Sequence, residues 1–234
     1  MLSRMLEREV MDSMREAIDY DSMDHSEVNR IFVDDFLQAW AAVAGEQTAP
    51  AAAAAPAEIL DVGTGTAQIP IELCRRDFDG RITAVDLAKA MLEVGQRNVE
   101  QAGFTQQIRL QRVDAKNLPY PDGRFDAVMS NSIVHHIPQP RTVLAEMARV
   151  VRPGGLLFVR DLMRPADLET VDRLVATYCG NENDHQRQMF RDSLCASLTV
   201  DEVQLLLAEL GLGHLTVRAT SDRHWTLMGI PLPA

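Results

Sequence analysis

Residues 58–68 read E-I-L-D-V-G-T-G-T-A-Q, an apolar run that closes on an acid and then on a turn of small residues. Ile59, Leu60 and Val62 have the character of a buried parallel strand. Gly63, Thr64, Gly65 and Thr66 follow as a turn in which glycine lets the backbone approach a ligand without Cβ atoms in the way. A helix is expected from about Thr66, its N-cap, so that unpaired amide donors face the contents of the turn. Strand, turn and helix in this order make a nucleotide-type site, and the rest of the chain decides which nucleotide.

Around this stretch the 234 residues are 46% hydrophobic and 24% charged, which suits one globular domain, at most with a smaller cap. The 23 basic and 34 acidic side chains leave a net charge of −11, and no basic run exceeds a pair. Nucleic acid and anionic membrane surfaces both require clustered cations, so neither is expected as a partner. No apolar stretch approaches the roughly 20 residues that span a bilayer. Met1 to Tyr20 is too charged for a signal peptide, and a cytoplasmic protein is expected. Cys74, Cys179 and Cys195 are far apart and form no C-x-x-C pair, which predicts buried thiols rather than a zinc or disulfide framework. The six histidines show no metal-binding spacing, so no metal is expected.

Apolar residues at Leu2, Leu6, Val10, Met14 and Ile18 predict a helix over 2–18. Ser26 is expected to cap a second, with Val33, Phe36, Leu37 and Trp40 on one face. Residues 1–44 thus form a helical lid, and residues 45–57, G-E-Q-T-A-P-A-A-A-A-A-P-A, a surface linker. Beyond the opening turn, helices over 67–78 and 87–102 alternate with strands over 81–86, 108–113 and 125–130. A helix over 140–151, stopped by Pro153-Gly154-Gly155, precedes a strand over 156–160. This alternation predicts a parallel sheet covered on both faces, with ligands at the carboxyl ends of its strands. Residues 165–198 read as a helical insert, and Thr199 with Glu202 as the capping box of a later helix. Strands over 215–219 and 225–230, separated by a short connection, predict an antiparallel pair.

A dinucleotide fingerprint would place its third glycine at position 68, which is Gln68, and no G-K-[ST] completes a phosphate loop. What remains is an acid, glycines two and four residues later, and a second acid, Asp86, ending the next strand. In this the chain resembles the class I S-adenosylmethionine-dependent methyltransferases, in the group of small soluble enzymes that includes the ubiquinone-type methyltransferases. The resemblance covers about 58–164 and includes A-R-V-V-R-P-G-G before the fifth strand. It implies a Rossmann-like α/β three-layer sandwich, a mostly parallel seven-stranded sheet with a C-terminal antiparallel hairpin, and a methyltransferase domain over 58–234. It also implies S-adenosyl-L-methionine as cofactor and S-adenosyl-L-homocysteine as product. Asp61, Gly63, Thr64 and Gly65 then match the motif that passes the methionine part, with Asp61 holding the turn by accepting backbone amides. Asp86 matches the acceptor of both ribose hydroxyls and Leu87 the apolar neighbour of the adenine. Asp114 and Ala115 match the pair that reads the adenine, and Asn131 reaches the cofactor from the fourth strand. Ala67 stands where the family often has a third glycine. Independently of the family, two hydroxyls on one ribose favour a carboxylate, which accepts both bonds.

The carboxyl end of the fourth strand leads into His135 and His136, of which at most one is expected to line the pocket, either as a general base or as packing. Arg160, Arg223 and His224 are candidates for binding the acceptor, the arginines through a carboxylate fork or else in local ion pairs, and Asp161 is a candidate for holding an amine. Tyr20 is expected at a break between the lid helices, over the cofactor. The function expected is in-line methyl transfer to a small molecule by a monomer or homodimer. Two alternatives are a non-catalytic S-adenosylmethionine-binding regulatory module and an enzyme that uses the same cofactor for another transfer or a cyclisation.

Overall fold

The structure, a computed structural model, describes residues 2–7, 9, 10, 12–45 and 56–232. Seven strands form one sheet: β1 (Ala57–Val62), β2 (Gly80–Asp86), β3 (Ile108–Arg112), β4 (Phe125–Asn131), β5 (Val151–Leu162), β6 (Thr216–Ala219) and β7 (His224–Gly229). Their order is β3-β2-β1-β4-β5-β7-β6. The pairs from β3 to β5 are parallel, and β7 runs antiparallel to both β5 and β6.

Side chains of successive residues leave a strand on opposite faces, and the central strands are apolar on both. Leu60 and Val62 of β1 join Val128, Leu157 and Val159 in a core shared with helices α5 (Pro140–Val150) and α8 (Val200–Glu209). Ile59, Ala127, Met129 and Phe158 face the other way, toward α2 (Ser26–Gly45) and α3 (Gln68–Cys74). Two helical layers thus enclose the sheet in the expected three-layer sandwich. Helix α4 (Lys89–Ala102) stops at Gly103, whose φ of 82° is the left-handed conformation glycine adopts without cost. The predicted box of Thr199 and Glu202 caps α8. Helices α6 (Leu168–Tyr178) and α7 (Asp184–Ala196) occupy the expected insert. Among the described residues, no helix is long and apolar enough to cross a membrane.

Three expectations change. The N-terminal helix α1 spans only Met14–Ser22, because the reciprocal box of Ser13 and Glu16 starts it there. The described residues before it run irregularly, and Leu6 and Ile18 of the supposed apolar stripe are 56% and 53% exposed. Thr66 does not cap α3; the N-cap is Ala67, at φ 64°, with no side-chain bond. The Pro153-Gly154-Gly155 run lies inside β5 rather than ahead of it, beside an irregularity in the pairing between Phe125 and Ala127. Residues 46–55 of the expected linker lie outside the described residues.

The order of the strands reverses between β1 and β4, so their carboxyl ends part and leave a crevice. The loops that leave β1, β2, β3, β4 and β5 all open there.

Candidate active site

The crevice holds a cavity of about 640 Å³. At its floor the β1 turn folds over the end of β2, and the amides of Gly63 and Thr64 both donate to the Val85 carbonyl. Gly63 has a φ of +76°, and a Cβ there would stand 2.3 Å from Ile133 Cγ2. Gly65, at φ +55°, would bring a Cβ within 4 Å only of the Tyr20 ring, at 3.7 Å. Both glycines therefore let the backbone form the cavity wall. Asp61 and Thr64 sit behind that wall, at 2% and 8% exposure. Among the described residues no backbone amide is seen to reach Asp61, contrary to expectation: those of Gly63 and Thr64 go to Val85 and that of Gly65 to Asp86. Burial pushes the Asp61 carboxyl up to about 7, with the Thr64 hydroxyl working against it and the Asp86 charge adding to it.

Asp86 lies at the end of β2 on the cavity wall. One carboxylate oxygen accepts from Gly65 N at 2.9 Å and the other from Ala88 N at 2.8 Å. Burial raises its pKa against these amide bonds. An ionised carboxylate has about four lone-pair sites, so two hydroxyl donors can still be received. No cation pairs with Asp86 among the described residues, which suits a neutral diol. Leu87, Asp114, Ala115 and Asn131 line the same wall. Asp114 accepts from Lys116 N at 2.9 Å and pairs with its ammonium at 3.1 Å, while Lys116 also bonds Glu9. This Asp114–Lys116–Glu9 chain ties the N-terminal segment to the cavity wall beyond β3, and neither Lys116 nor Glu9 carries a sequence signal.

Tyr20 lines the cavity from α1, two residues before the helix ends rather than at a break. Burial, with Asp86, Asp21 and Asp61 nearby, pushes its hydroxyl up to about 12, so it stays protonated and available as a donor.

Beyond Asn131, Ser132 takes a φ of +58° and a 3-10 turn over Val134–His136 begins. That turn corrects the expectation for the histidines, since both line the cavity, with ring centroids 4.2 Å apart and tilted by 35°. His135 is 3% exposed and Asp161 is fully buried behind it. Asp161 accepts from His135 Nδ1 at 2.5 Å and from His135 N at 3.1 Å, and from Leu162 N at 2.6 Å. Its oxygens are engaged inside the protein, so it is placed to act through His135 rather than to hold an amine. Burial works to lower the His135 pKa, but the charges of Asp161 and Glu7 outweigh it and hold it above the ordinary histidine value. Asp161 is conversely held below the carboxylate range, its burial being overcome by His135 and two amides. Glu7 approaches both rings, 3.5 Å from His135 Nε2 and 3.1 Å from His136 Nδ1. Nothing in its spacing marks Glu7 in the sequence; the irregular segment before α1 places it.

Arg160, Arg223 and His224 also line the cavity. The Arg160 guanidinium is committed to Asp35 Oδ2 of α2 at 2.5 Å and to Thr226 Oγ1 at 2.9 Å. Arg223 lies 3.3 Å above the Tyr178 ring and pairs with Asp222 at 3.3 Å. His224 is pulled down to about 3 by burial and the two arginines, and bonds Ser221 through Nδ1. It is therefore a neutral side chain at physiological pH.

Residues 60–159 match the model of a family described as a methyltransferase domain. Over 155 residues the chain is 30% identical to 27-O-demethylrifamycin SV methyltransferase of Amycolatopsis mediterranei, covering 66% of this chain and 53% of that protein. Over 110 residues it is 38% identical to demethylmenaquinone methyltransferase of Bacillus pumilus, covering 47% of each. The chain thus spans about half the length of the curated relatives it matches. Among solved structures it resembles a SAM-dependent methyltransferase from Aquifex aeolicus, with a TM-score of 0.64, 16% identity and coverage of 94% and 99%. The plantazolicin methyltransferase BpumL, solved with a triazolic desmethyl analogue and SAH, superposes with a TM-score of 0.71 at 12% identity, covering 93% and 91%. At such identities the two structures share the fold. The matched domain begins in β1, ends in β5 and so contains the whole glycine turn and the acids that follow it. By its matched domain the chain is similar to the class I S-adenosylmethionine-dependent methyltransferases.

Proposed function

We propose that this chain transfers a methyl group from S-adenosylmethionine to a hydroxyl of a small-molecule acceptor. The observation that carries the reading is one continuous cavity with a glycine turn and Asp86 at one end and the buried His135–Asp161 pair on its wall. The cofactor, when bound, supplies an electrophilic methyl on a sulfonium, and in-line displacement requires the nucleophile on the side opposite the sulfur. Asp86 and the Gly63–Gly65 turn would hold the ribose and methionine parts, Leu87, Asp114 and Ala115 the adenine, and Tyr20 would cover the turn. Fixing two reactants in this way is worth up to about 7–11 kcal/mol of barrier in favourable cases.

A hydroxyl acceptor must lose a proton as the bond forms. His135 Nε2 would take it, with Asp161 holding the ring through Nδ1 and stabilising the imidazolium. Arg223, His224 and the insert helices α6 and α7 would bound the acceptor. Relatives named for a demethylrifamycin, a demethylmenaquinone and plantazolicin support a small-molecule acceptor. The acidic balance of the chain supports one over nucleic acid.

Calorimetry with S-adenosylmethionine and S-adenosylhomocysteine, followed by transfer of a labelled methyl group to a panel of phenols and polyketide hydroxyls, tests the proposal. Loss of the charge-assisted bonds in Asp86→Asn is expected to weaken cofactor binding by roughly 10- to 100-fold, equivalent to about 1.5–3 kcal/mol. Equal affinity of the variant, or labelled transfer to amines but to no hydroxyl, refutes the reading.

A further inference from the structure

We infer that Glu7, His135 and His136 form a three-ligand site for a divalent transition ion of the zinc class, with its remaining position open to the cavity. One ligand atom from each side chain lies within 4.8 Å of the others. Glu7 Oε1 stands 3.1 Å from His136 Nδ1 and 3.5 Å from His135 Nε2. Ligands about 2.0–2.1 Å from a tetrahedral ion are roughly 3.3–3.4 Å from one another. The observed separations bracket that spacing, so the carboxylate already stands where a shared ion would require it.

The surroundings are those of a metal ligand set. His135 Nδ1 is fixed at 2.5 Å from Asp161 Oδ1, which leaves Nε2 directed toward Glu7 with its lone pair in the neutral ring. A carboxylate behind a histidine in this way orients metal-bound imidazoles and raises their basicity. Glu7 in turn accepts from Ser193 Oγ of α7 at 3.2 Å. Two imidazoles and one carboxylate suit zinc or cobalt, whereas magnesium and calcium take oxygen ligands. Both histidines line the cavity, so a fourth ligand would come from there, as at zinc sites with three protein ligands. One feature opposes the ion: the Arg4 guanidinium, which donates to the carbonyls of His135 and Ile137, lowers the His135 pKa and would likewise repel a cation. Glu7 and Asp161 supply two negative charges against it. The histidine spacing carries no metal signature because the third ligand arrives from Glu7, 128 residues upstream of His135.

The ion and the transferred proton compete for the same Nε2 lone pair, so the site is read by binding rather than by turnover. The full-length protein, stripped with a chelator, is titrated with Zn²⁺ by calorimetry and with Co²⁺ by visible absorption. S-adenosylhomocysteine binding is measured on the same samples. The expected result is one saturable Zn²⁺ equivalent per chain and the intense visible bands of a tetrahedral Co²⁺ centre. Glu7→Gln and His136→Gln are each expected to weaken zinc at least about tenfold. Absence of saturable zinc binding, a Co²⁺ spectrum unchanged from the hydrated ion, or equal affinity in both variants overturns the inference. Circular dichroism verifies that the variants are folded, and the wild-type Co²⁺ spectrum decides alone if they are not. A protein that binds S-adenosylhomocysteine but no zinc refutes this site only, and the converse refutes the methyltransferase reading only.

Discussion

Two buried carboxylates near the carboxyl ends of β1 and β5 are shifted in opposite directions by their surroundings. Asp161 is kept ionised by His135 and by two amides, and it holds the ring above its ordinary pKa. Methyl transfer to a hydroxyl needs the ring neutral, so the rate should rise with pH through that elevated value. In Asp161→Asn the burial of His135 is less opposed, and the rising limb should move to lower pH while kcat falls by about 10²- to 10⁴-fold. A pH–rate profile with an unmoved limb would remove the pair from the mechanism. Asp61 is the reverse case, a carboxyl with an ordinary pKa of 3.8 that burial pushes up to about 7. As pH rises the unfolded chain releases this proton first, so stability is full below about 4 and is lost progressively up to about 7. The loss is bounded by about 1.36 kcal/mol per pKa unit, hence ~4 kcal/mol at most. Asp61→Asn cannot ionise, and urea midpoints taken from pH 4 to 8 should lose that part of their decline. Parallel curves for the two proteins would show that Asp61 ionises normally.

The β1 turn is the element on which its end of the cavity depends, and Gly63 within it differs in surroundings from Gly103, which ends α4. Gly63 and Gly103 both have strongly positive φ, +76° and +82°. A Cβ on Gly103 meets nothing within 4 Å, whereas on Gly63 it lies 2.3 Å from Ile133 Cγ2. Gly103→Ala should cost only the left-handed backbone penalty, about 1–2 kcal/mol, and leave cofactor binding intact. Gly63→Ala adds overpacking of about 1–3 kcal/mol and moves the cavity wall, so it should also weaken S-adenosylhomocysteine at least tenfold. Equal denaturation midpoints and equal affinities for the two variants would contradict this account. The turn was legible because a buried strand closing on an acid and spaced glycines is a local pattern. Asp86 and Asp114 were legible for a related reason, each standing at the end of an expected strand. The lid was not. Four-residue spacing from Leu2 to Ile18 imitates a helical face, yet Ser13 and Glu16 close a capping box within it, and Leu6, Met14 and Ile18 of the stripe stay exposed. Glu7 and Asp35 escaped because their partners, the histidine pair and Arg160, meet them only through tertiary packing. The histidines were placed on opposite sides by strand logic, which fails where a 3-10 turn replaces the strand.

At the scale of the molecule, the N-terminal segment is attached to the site more than to the core. The two large cores on either face of the sheet contain no residue before Phe32 among the described ones. The segment is instead tied by polar bonds around the cavity. Leu2 N donates to Ala166 O and Met5 N to Cys195 O, while Arg4 reaches the carbonyls of Ala196, His135 and Ile137. Farther along, Asp19 meets His185 and Gln186 of α7. These contacts join the segment to the insert helices and make it a wall of the cavity whose removal sacrifices little apolar burial. A chain lacking residues 1–12 should therefore keep the fold. If the lost bonds and the small Leu2 and Val10 contacts sum to about 1–3 kcal/mol, melting falls by roughly 2–4 °C for each kcal/mol. The same deletion removes Glu7 and Glu9, releases Lys116 from Glu9 beside Asp114, and leaves α1 with Tyr20 held by Asp19 on α7, by Asp21 on Gln68 and Asn98, and by Ala17 packed against α4. Release of S-adenosylhomocysteine should then be at least tenfold faster, since the cover over the turn opens at a small free-energy cost. Stopped-flow displacement beside a thermal melt distinguishes the possibilities. A collapse of the melting temperature comparable to loss of a core residue would make the segment part of the core, and an unchanged release rate would deny it the role of a lid.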